Sequence, residues 1–329
     1  MKKKRVLSGF RPTGPLHVGH LVGALRNWIE MQDNFDCYFA ICDWHALTSE
    51  YANSSRIADH VHSMAVDWLA SGLDPERCTM FVQSGVKEHS ELHLLLSMVV
   101  PLGWLERVPT YKELRQEVAN RDLGTYGFLG YPVLQTADIL AYKADFVPVG
   151  QDQLSHLELS REIVRKFHHL FGPLFPEPQA KITRIPRLPG IDGRKMSKSF
   201  DNAIYLSDPP EKARKKVFQM LTDPQRKTRK DPGDPDVCPV FSIHKAFSPV
   251  GVQETVNREC RRAGIGCRDC KGMLFEHLQE VLAPHQEKRR EIEARRGYVE
   301  EMLQVGEDKA RSVASATLAE VREAMGMGR

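Results

Sequence analysis

The first half of the chain alternates short apolar runs with longer segments whose apolar residues recur every three to four positions. Val6 to Ser8, Cys37 to Cys42, Thr79 to Val82 and Phe146 to Val149 are predicted strands. Val18 to Ile29 shows the helical spacing, which buries one face of a helix. Strands that alternate with helices predict a doubly wound parallel α/β sheet, whose ligands bind at the carboxyl ends of the strands.

The pattern changes near Pro173. From there to Pro189, prolines interrupt a stretch that has no periodicity, which predicts a linker. After Ser207 the pattern is mostly helical, and the last helix is the clearest because its small and apolar residues share one face. These residues are Ala310, Val313, Ala314, Thr317, Val321 and Ala324. The sequence thus predicts a smaller, mainly α-helical domain after the α/β domain.

Composition places the chain among ordinary globular proteins. Its 329 residues are 41% hydrophobic and 27% charged, which excludes global disorder and suggests two domains. The most apolar stretch, Leu92 to Leu105, is short and interrupted by Pro101 and Gly103, so we expect a buried helix there and no membrane partner. The basic residues behind Met1 precede no apolar run, which favours a cytoplasmic protein over an exported one.

The clearest local motif is the segment Pro15 to His20, in which His17, Gly19 and His20 form an HxGH pattern. It follows a predicted strand and a glycine-containing turn, and it opens the first helix. A helix start presents unpaired N–H groups and the positive end of the helix dipole, which bind anions. Two imidazoles there can donate hydrogen bonds to phosphate oxygens. Four-residue patterns also recur by chance, so a helix that merely begins with histidines is the alternative.

A second motif lies in the irregular stretch between the domains, where Gly193 to Ser199 reads GRKMSKS. Lys195 and Lys198, with small hydroxylated neighbours, suit a loop that closes over a polyphosphate and stabilises charge on its oxygens. A solvated basic loop is the alternative for this run alone. The occurrence of both motifs, about 180 residues apart across a predicted α/β fold, favours phosphate chemistry.

With these two motifs the chain resembles the class I aminoacyl-tRNA synthetases, and within them the tryptophan–tRNA ligases. The resemblance extends over nearly the whole chain, through Leu7 to Gly14, Val147 to Gln153 and Ala324 to Gly326. It implies activation of L-tryptophan with ATP and Mg²⁺, release of pyrophosphate, and esterification of the 2′-hydroxyl of the terminal adenosine of tRNA(Trp). It also implies a homodimer, with the segment between Leu102 and Gly130 as the candidate interface.

The same resemblance implies a division of the chain into three units. Residues 1–200 form a Rossmann-type catalytic domain that includes the KMSKS loop, and residues 201–296 form a helical anticodon-binding domain. Residues 297–329 form a C-terminal helix that packs back on the catalytic domain. Although the net charge is only +3, basic pairs gather in the helical half and suit an RNA backbone. They are Arg226-Lys227, Arg229-Lys230, Arg261-Arg262, Lys288-Arg289-Arg290 and Arg295-Arg296.

Roles at the ATP site follow from the resemblance, position by position. The catalytic residues are His17, His20, Lys195 and Lys198. The ATP contacts lie on the two motifs and on the end of the fourth strand. They are Arg11, Pro12, Thr13, Gly19, His20, Gly150, Gln151, Asp152, Leu188, Lys195, Met196, Ser197, Lys198 and Ser199. Activation needs no protein nucleophile or general base, because the amino-acid carboxylate itself attacks the α-phosphorus, so these residues position the reactants and stabilise charge.

Tyr131, Gln135 and Asp138 are spaced by four and three residues, so a helix from about Pro132 to Tyr142 carries all three on one face. A carboxylate there can accept the indole N–H, which is a donor only. A polar stripe at a helix end is the alternative from the residues alone. The resemblance assigns recognition of tryptophan to Asp138.

Three more residues complete the expected tryptophan pocket: Leu7, His45 and Gln153. Tyrosine–tRNA ligases are the nearest alternative, because they also use a carboxylate on this helix, there to bind a phenol. Leu7 gives a phenolic hydroxyl no partner and packs well against an indole, whereas Gln135 is common in the tyrosine branch. The position of Leu7 favours tryptophan.

The helical half contains four cysteines in the spacing C-x21-C-x6-C-x2-C, namely Cys238, Cys260, Cys267 and Cys270. Four thiolates, two of them in a CxxC turn, match the ligand count of a metal site. Both Zn²⁺ and an iron–sulfur cluster accept four cysteines. The resemblance favours a 4Fe–4S cluster, and Zn²⁺ or four free thiols are the alternatives. The remaining cysteines, Cys37, Cys42 and Cys78, are predicted core residues.

Two other classes of function stay open from the sequence. One is a nucleotidyltransferase that uses the HxGH motif without tRNA, in which case the helical domain and the four cysteines lack a purpose. The other is a synthetase-like RNA-binding protein without catalysis, against which both intact phosphate-binding motifs argue.

Overall fold

A parallel sheet of five strands organises the molecule. The computed structural model describes residues 3–108, 124–150, 153–182 and 188–328. The strands are β1 (Arg5–Phe10), β2 (Asp36–Ile41), β3 (Thr79–Val82), β4 (Phe146–Val149) and β5 (Gln179–Ile182). Their order across the sheet is β3-β2-β1-β4-β5, and every pair is parallel.

The helices follow the alternation that the sequence predicts in the first half and dominate the second half. They are α1 (Val18–His20), α2 (Arg26–Met31), α3 (Asp43–Glu50), α4 (Ile57–Ser71), α5 (Glu88–Ser97), α6 (Leu102–Glu106), α7 (Tyr126–Ala141), α8 (Leu154–Phe171), α9 (Pro210–Gln219), α10 (Pro239–Phe247), α11 (Val250–Arg261), α12 (Cys267–Glu293) and α13 (Tyr298–Ala324). A π-helical turn, Leu21–Leu25, joins α1 to α2. Such turns are frequent at functional sites.

Both faces of the sheet are covered, which confirms the predicted doubly wound α/β fold. Successive strand residues point to opposite faces, and Val6 and Leu7 of β1 accordingly belong to two different hydrophobic cores. One core contains residues of α1, α2 and α4 together with the helices from α9 onwards. The other contains residues of α5, α7 and α8. Burial on both faces explains why the strands are almost continuously apolar in sequence.

The strand β5 lies within the proline-rich stretch for which the sequence predicts only a linker, so that prediction is wrong at Gln179–Ile182. β5 pairs with β4, with Phe146 opposite Gln179 and Val149 opposite Ile182. Four residues flanked by prolines are too few to show a period of two. The strand forms because β4 offers an unpaired edge, and that information is not local.

The apolar stretch Leu92 to Leu105 also differs from its prediction as one buried helix. It divides into α5 and α6, and Pro101, in extended conformation, is the N-cap of α6. Leu94, Met98 and Leu102 are 52%, 68% and 59% exposed. Across the ranges that the structure describes, helices that combine the length and the apolar character needed to cross a membrane do not occur.

The carboxyl ends of β1 and β4 form the crevice in which a doubly wound sheet binds its ligand. These two strands are neighbours in the sheet, and the strand order reverses between them. β1 leads into the HxGH segment through Gly14, which has a φ of 143°, and β4 ends beside Gly150. The fold therefore brings the first sequence motif and the end of the fourth strand to one place.

The last helix, α13, covers the edge strand β3. At Gly306 the two backbones approach so closely that a Cβ atom would collide with the carbonyl oxygen of Met80. The first turns of α13 contribute Val299 and Met302 to one core, and its later turns contribute Ala314 to the other. Covering an edge in this way removes an unpaired strand from solvent.

The helices of the second half pack around α12, which contacts α4, α9 and α10. α12 thereby joins the first core to the region of the four cysteines, two of which lie in its first turn. The predicted limits of the three units, at residues 200 and 296, stay a prediction.

Candidate active site at the carboxyl edge of the sheet

The two histidines of the HxGH motif hold each other and the start of α1 in a defined arrangement. The His17 side chain accepts a hydrogen bond from the Gly19 N–H at Nδ1 (3.2 Å), and His20 Nδ1 accepts one from the His17 N–H (3.1 Å). Their ring centroids are 3.8 Å apart. Because each Nδ1 is an acceptor, the proton of each neutral ring lies on Nε2, which is then a hydrogen-bond donor.

Both imidazoles are neutral near pH 7. Burial lowers the pKa of His17 to about 4, and the positive charges of Lys198 and Lys195 contribute to the shift. Burial also holds the pKa of His20 well below its usual value, with the neighbouring His17 as the next cause. The motif therefore offers two uncharged N–H donors in a positive field, which suits the oxygens of a phosphate.

The KMSKS loop lies directly over the HxGH segment. Lys198 donates a hydrogen bond from Nζ to the carbonyl oxygen of Gly14 at 2.7 Å. Met196 is buried, and its N–H bonds to the carbonyl oxygen of Leu188 at 2.9 Å. Lys195 is exposed at the surface of the loop, and the side chain of Ser199 lies outside the described residues. The loop is thus anchored through Met196 and Lys198 and presents Lys195 outward.

A buried asparagine that sequence reasoning missed shapes this loop. The Asn202 side chain accepts the Ser197 N–H at 2.8 Å and donates to the carbonyl oxygen of Lys195 at 3.1 Å and to Asp192 at 2.7 Å. Asparagine can serve in this way because its amide has both donor and acceptor atoms. The only sequence signal is its place directly after the motif.

Backbone hydrogen bonds join the HxGH segment to the residues that follow the KMSKS loop. The Val18 N–H bonds to the carbonyl oxygen of Ile204 at 3.0 Å, and the Leu206 N–H bonds to that of Leu16 at 2.9 Å. Burial, followed by the charge of Arg11, lowers the pKa of Lys198 to about 8. A lysine whose ammonium group is held this close to the start of a helix suits the binding of a polyphosphate.

The other predicted ATP residues are distributed around this centre. Arg11 is exposed, and its carbonyl oxygen accepts the Thr13 N–H at 2.8 Å in a tight turn that also contains the buried Pro12. Gly19 lies under the KMSKS loop, where a Cβ atom would be 4.0 Å from Met196 Sδ. Leu188 is buried. Gly150 lies at the end of β4, whereas Gln151 and Asp152 lie outside the described residues.

Asp138 on α7 is buried at the centre of a polar network. Its Oδ2 atom accepts from His45 Nε2 at 2.8 Å, and its Oδ1 atom accepts from His89 Nδ1 at 2.6 Å. Gln83 Nε2 donates to both oxygens, at 2.8 and 2.9 Å. Burial alone would raise the pKa of Asp138, but the hydrogen bonds from His45 and His89 hold it well below its usual value, so the carboxylate is ionised.

This network refines the sequence prediction, which left Asp138 free to accept an indole. The carboxylate already has donors on both oxygens. Gln83 and His89 are fully buried and were missed, and His89 Nε2 contacts the Tyr142 hydroxyl at 2.6 Å. A signal was available for Gln83, because it directly follows β3 at the carboxyl edge of the sheet.

Some of the remaining residues predicted for the tryptophan pocket lie near Asp138. Leu7 on β1 is buried and belongs to the same core as α7. Tyr131 lies on α7, and its hydroxyl contacts His156 Nε2 at 2.5 Å. Gln135 is half-buried on the same helix, and Gln153 is exposed at the start of α8. Asp138, His45 and Tyr131 are adjacent, since the rings of His45 and Tyr131 meet edge to face at 6.4 Å.

The four cysteines gather in one corner of the helical half. Burial raises the pKa of Cys270 to about 12, and the charges of Cys238, Cys260 and Cys267 raise it further. Yet within the part of the chain that the structure describes, no group of three or more His, Cys, Asp or Glu side chains is arranged to hold a metal ion. The thiols are therefore neighbours without forming a coordination shell.

One cationic side chain, Arg226, and one neutral imidazole, His244, lie beside these thiols. Arg226 donates from Nη1 to Cys260 Sγ at 3.7 Å, and His244 Nε2 lies 3.4 Å from Cys270 Sγ. The Gly233 backbone packs closely against this thiol, because a Cβ atom on it would be only 2.7 Å from Cys260 Sγ. Arg226 is itself buried, so this member of the basic runs binds protein groups instead of facing solvent.

Comparison with known proteins agrees with this architecture. Residues 1–283 match the family model described as tRNA synthetases class I (W and Y). The chain is 50% identical to a tryptophan–tRNA ligase of Thermotoga maritima over 326 residues, which cover 98% of this chain and 99% of that protein. It is 42% identical to the tryptophan–tRNA ligase of Aquifex aeolicus, with 98% of this chain and 100% of that protein covered.

A solved structure is similar over the same extent. The tryptophanyl-tRNA synthetase of Campylobacter jejuni, complexed with ADP and tryptophan, superposes with a TM-score of 0.88 at 31% identity, with 98% of this chain and 99% of that chain covered. The sequence motifs, the doubly wound sheet and the full-length identity lead to one conclusion: the chain belongs to the class I tRNA synthetases of the tryptophan and tyrosine group, and within that group to the tryptophan–tRNA ligase family.

Proposed function

We propose that the protein activates L-tryptophan with ATP and transfers it to the 2′-hydroxyl of the terminal adenosine of tRNA(Trp). The observation that carries this proposal is the convergence of His17, His20 and Lys198 beside the sheet edge that also contains Asp138. The full-length similarity to tryptophan–tRNA ligases supports it. Because ATP and tRNA are cytoplasmic substrates, we place the protein in the cytoplasm, which cell fractionation tests.

In the activation step, one carboxylate oxygen of tryptophan forms a bond to the α-phosphorus of ATP. At the same time, the bond between the α-phosphorus and the oxygen that bridges it to the β-phosphorus breaks. Pyrophosphate leaves with that electron pair, and tryptophanyl-adenylate remains. The Nε2–H groups of His17 and His20 donate to phosphate oxygens, and the ammonium groups of Lys195 and Lys198 neutralise the charge that develops on the leaving group. Mg²⁺, which is typical of this family, would be held mainly by the phosphates.

The protein's own groups otherwise position the reactants. Asn202 fixes the shape of the KMSKS loop and Lys198 bonds it to Gly14 beside the HxGH segment, so the loop covers the phosphates and excludes water. Transfer to tRNA then needs the 2′-hydroxyl oxygen to attack the activated carbonyl, with AMP as the leaving group. Positioning supplies most of the rate in such a reaction.

Tryptophan is bound through Asp138. Among the three donors to its carboxylate, His45 is 8% exposed whereas Gln83 and His89 are fully buried. The His45 bond to Oδ2 is therefore the one that an indole N–H can replace, while Gln83 and His89 keep the carboxylate oriented. Phenylalanine has no N–H to offer Asp138 and gains no hydrogen bond there, so the site favours tryptophan.

The test is pyrophosphate exchange with tryptophan, with tyrosine and without an amino acid, followed by charging of tRNA(Trp). Tryptophan-dependent exchange and charging are expected. Exchange with tyrosine alone would establish the tyrosine alternative, and exchange without subsequent charging would favour a nucleotidyltransferase. A protein without any exchange would be the non-catalytic RNA-binding alternative.

We further propose that Cys238, Cys260, Cys267 and Cys270 bind a 4Fe–4S cluster. The electrostatic proximity of the four thiols and the adjacent Arg226 guanidinium suit an anionic thiolate cluster. Zn²⁺ is the second candidate, because it accepts the same ligands. When bound, the cluster would fix the start of α12 relative to α10 and α11.

Anaerobic purification tests this assignment. We expect a coloured protein with about four iron atoms per chain, as the cluster type requires. Replacing both Cys267 and Cys270 by serine should remove the iron, whereas Cys78→Ser, in a buried site elsewhere in the protein, should keep it. A colourless protein with stoichiometric zinc would show Zn²⁺, and one without either metal would show four free thiols.

The protein is proposed to act as a homodimer through the segment between Leu102 and Gly130, of which residues 109–123 lie outside the described residues, together with the adjacent apolar surface of α5. Leu94, Met98, Leu102 and Tyr126 are large apolar residues that are all more than half exposed. Apolar groups of this size in one region mark association surfaces. Light scattering on the intact protein should give twice the chain mass, and Met98→Asp together with Leu102→Asp should give the single chain mass.

Recognition of the tRNA is proposed for the helical half, residues 201–296, including its basic runs. The structure excludes two of the arginines from direct backbone contact, because Arg226 is buried and Arg289 pairs with the buried Asp67. The exposed Arg229 and Arg262 remain candidates. Their replacement by alanine should weaken charging and leave pyrophosphate exchange unchanged.

A further inference from the structure

A buried tyrosine at the end of α7 reaches the tryptophan-binding carboxylate through one histidine. Nε2 of His89, on α5, lies 2.6 Å from the hydroxyl oxygen of Tyr142, and Nδ1 of the same ring lies 2.6 Å from Asp138 Oδ1. Tyr142 and His89 are fully buried, and Asp138 is 4% exposed. Because Asp138 and Tyr142 are four residues apart, they lie on the same face of the helix end, and the imidazole of His89 bridges them.

The position of each proton in this chain of hydrogen bonds follows from its members. The carboxylate of Asp138 is an acceptor only, so His89 carries a proton on Nδ1 and donates it to Oδ1. Nε2 of a neutral imidazole is then an acceptor, and the Tyr142 hydroxyl is its donor. Burial holds the pKa of Tyr142 well above its ordinary value, so the hydroxyl keeps this proton. Since the bond made by one ring nitrogen fixes the proton on the other, Tyr142 selects the tautomer of His89 that can donate to Asp138.

The hydroxyl of Tyr142 is itself held in place by the sheet. The Tyr142 ring stacks on Tyr38 of β2, with the centroids 4.5 Å apart and the planes inclined by 21°. The backbone carbonyl oxygen of Tyr142 accepts a hydrogen bond from Nη1 of Arg5 on β1 at 3.0 Å. Phe81 of β3 packs against the ring, at 5.5 Å between centroids. Three strands thus fix the position of Tyr142, and His89 takes its orientation from Tyr142.

The orientation of His89 decides which oxygen of Asp138 faces an indole. Oδ1 accepts from His89 and Gln83, which are both fully buried. Oδ2 accepts from Gln83 and from His45, which is the more exposed donor. In the other tautomer, His89 would direct a lone pair at Oδ1, and the carboxylate would turn away because two acceptors repel each other. The Nδ1–H tautomer therefore keeps Oδ2 as the oxygen that exchanges its donor for an indole N–H.

We propose that Tyr142 is a positioning residue for substrate specificity: through His89 it fixes the Asp138 carboxylate so that Oδ2 accepts a ring N–H of the amino acid. This inference rests on the proposed function and deepens it. It adds that the preference for an aromatic ring with an N–H, over the same ring without one, depends on a fully buried hydroxyl on the far side of His89.

The variant Tyr142→Phe removes the hydroxyl and keeps the ring. Pyrophosphate exchange is measured with tryptophan and with its benzothiophene analogue, in which sulfur replaces the indole N–H. We expect the KM for tryptophan to rise about 3- to 10-fold, the range for one hydrogen bond, and kcat to change less than about twofold. The KM for the analogue should stay within about twofold, because the analogue has no N–H to donate to Asp138. The ratio of kcat/KM for tryptophan to that for the analogue should therefore fall in the same proportion as the KM for tryptophan rises.

Two further variants separate positioning from packing. Tyr38→Phe removes the other hydroxyl of the stacked pair, keeps the stack, and should leave the ratio unchanged. In His89→Asn, a side-chain amide near the Nδ1 position can donate to Asp138 without a tautomer to be selected. In that background, Tyr142→Phe should change the ratio less than about twofold, whereas a packing role of Tyr142 would give the same loss as before.

The tautomer itself can be measured without any change to Tyr142. ¹⁵N NMR of the histidine side chains distinguishes a protonated ring nitrogen from an unprotonated one, and the signals of His89 are those that His89→Asn removes. We expect Nδ1 to be protonated and Nε2 to be unprotonated in the wild-type protein. This measurement decides the inference if Tyr142→Phe fails to fold in a thermal melt.

Four results would overturn the inference. They are a protonated Nε2 on His89 in the wild-type protein, a folded Tyr142→Phe protein with the wild-type ratio, an equal rise in KM for both substrates, and an undiminished effect of Tyr142→Phe in the His89→Asn background. The proposed function fails separately, if the wild-type protein shows no tryptophan-dependent exchange. In that case the NMR measurement still tests the arrangement of Tyr142, His89 and Asp138.

Discussion

At the scale of single residues, the site works with neutral imidazoles among cations. The pKa of His17 is lowered to about 4 by burial and by Lys198 and Lys195, so protonation does not compete with hydrogen bonding near neutral pH. The Nδ1 atoms are occupied by backbone N–H groups, and only the Nε2–H groups remain for phosphate oxygens. The lysines then neutralise the negative charge of the phosphates, and the histidines orient the phosphates through directed hydrogen bonds.

Replacing Lys195 by alanine should lower the rate of pyrophosphate exchange by about 10²–10³-fold, because an electrostatic donor to the developing charge is lost. Lys195 is exposed, so the melting temperature should stay the same. The KM for tryptophan should also stay the same, because Asp138, which binds tryptophan, lies on α7 and not on the KMSKS loop. A Lys195→Ala protein with the wild-type exchange rate would contradict the role of this lysine.

Lys198 should give the reaction an alkaline limb. Its pKa is lowered from 10.5 to about 8, chiefly by burial and then by Arg11, so the free enzyme loses this positive charge as the pH rises through about 8. At saturating tryptophan, kcat/KM for ATP should therefore fall above this pH, since that ratio reports the free enzyme. Lys198→Arg should have a lower plateau and no limb up to about pH 10, because arginine stays protonated. An unchanged limb in the variant would assign it to another group.

At the residue scale, the sequence made contiguous motifs recognisable and left most of the distant hydrogen-bond partners unidentified. HxGH and KMSKS are recognisable in a few consecutive letters. Of the donors to Asp138, the sequence analysis named His45 but missed Gln83 and His89, because the three come from separate elements. Their roles depend on the sheet bringing the ends of its strands to one edge.

At the scale of elements, close backbone contact decides where α13 can lie. Gly306 faces the Met80 carbonyl oxygen with no room for a side chain. Gly306→Ala should lower the free energy of unfolding by about 1–3 kcal/mol, the usual range for overpacking.

A second helical glycine supplies the matched control for this change. Gly272 in α12 has open space around its Cβ position, so Gly272→Ala should stabilise the protein by about 0.4–1 kcal/mol through the unfolded state. Urea unfolding of both variants measures the difference. Equal stabilities would show that α13 can move away from β3 without loss.

Element prediction was accurate for long periodic segments. Helix α13 was visible in the sequence because its apolar face repeats over 27 residues. β5 was not visible, since its four residues pair only because β4 provides an edge. The division of Leu92 to Leu105 into two helices was also missed, although Pro101 marks the break. Whether the apolar residues of α5 and α6 are exposed depends on which elements pack beside these helices, and the local sequence pattern does not contain that information.

At the scale of the whole molecule, α12 joins the four cysteines to the ATP site. Cys270 and Gln286, which donates to the carbonyl oxygen of Leu206, are 16 residues apart in one helix, which is roughly 24 Å at 1.5 Å per residue. We expect the double replacement of Cys267 and Cys270 by serine to lower tRNA charging about tenfold or more, at a distance at which direct effects on ATP are weak. Pyrophosphate exchange should change less than threefold.

The two assays on this double variant should be run with the same preparation, and circular dichroism should confirm that its helices are retained. Cys78→Ser serves as the control for loss of a thiol outside this corner. Equal losses in exchange and charging would show that the cysteine corner acts on both steps through α12.

Local periodicity along the chain was enough to predict the class of fold, and the consecutive residues of HxGH and KMSKS were enough to reveal the resemblance to the family. Tertiary structure alone decided that Asp138 is already hydrogen-bonded by three donors, that Arg289 pairs with Asp67, and that the four thiols are neighbours outside a coordination shell. The physical reason is that ionisation, burial and hydrogen bonding depend on groups brought close by the fold, whatever their separation along the chain.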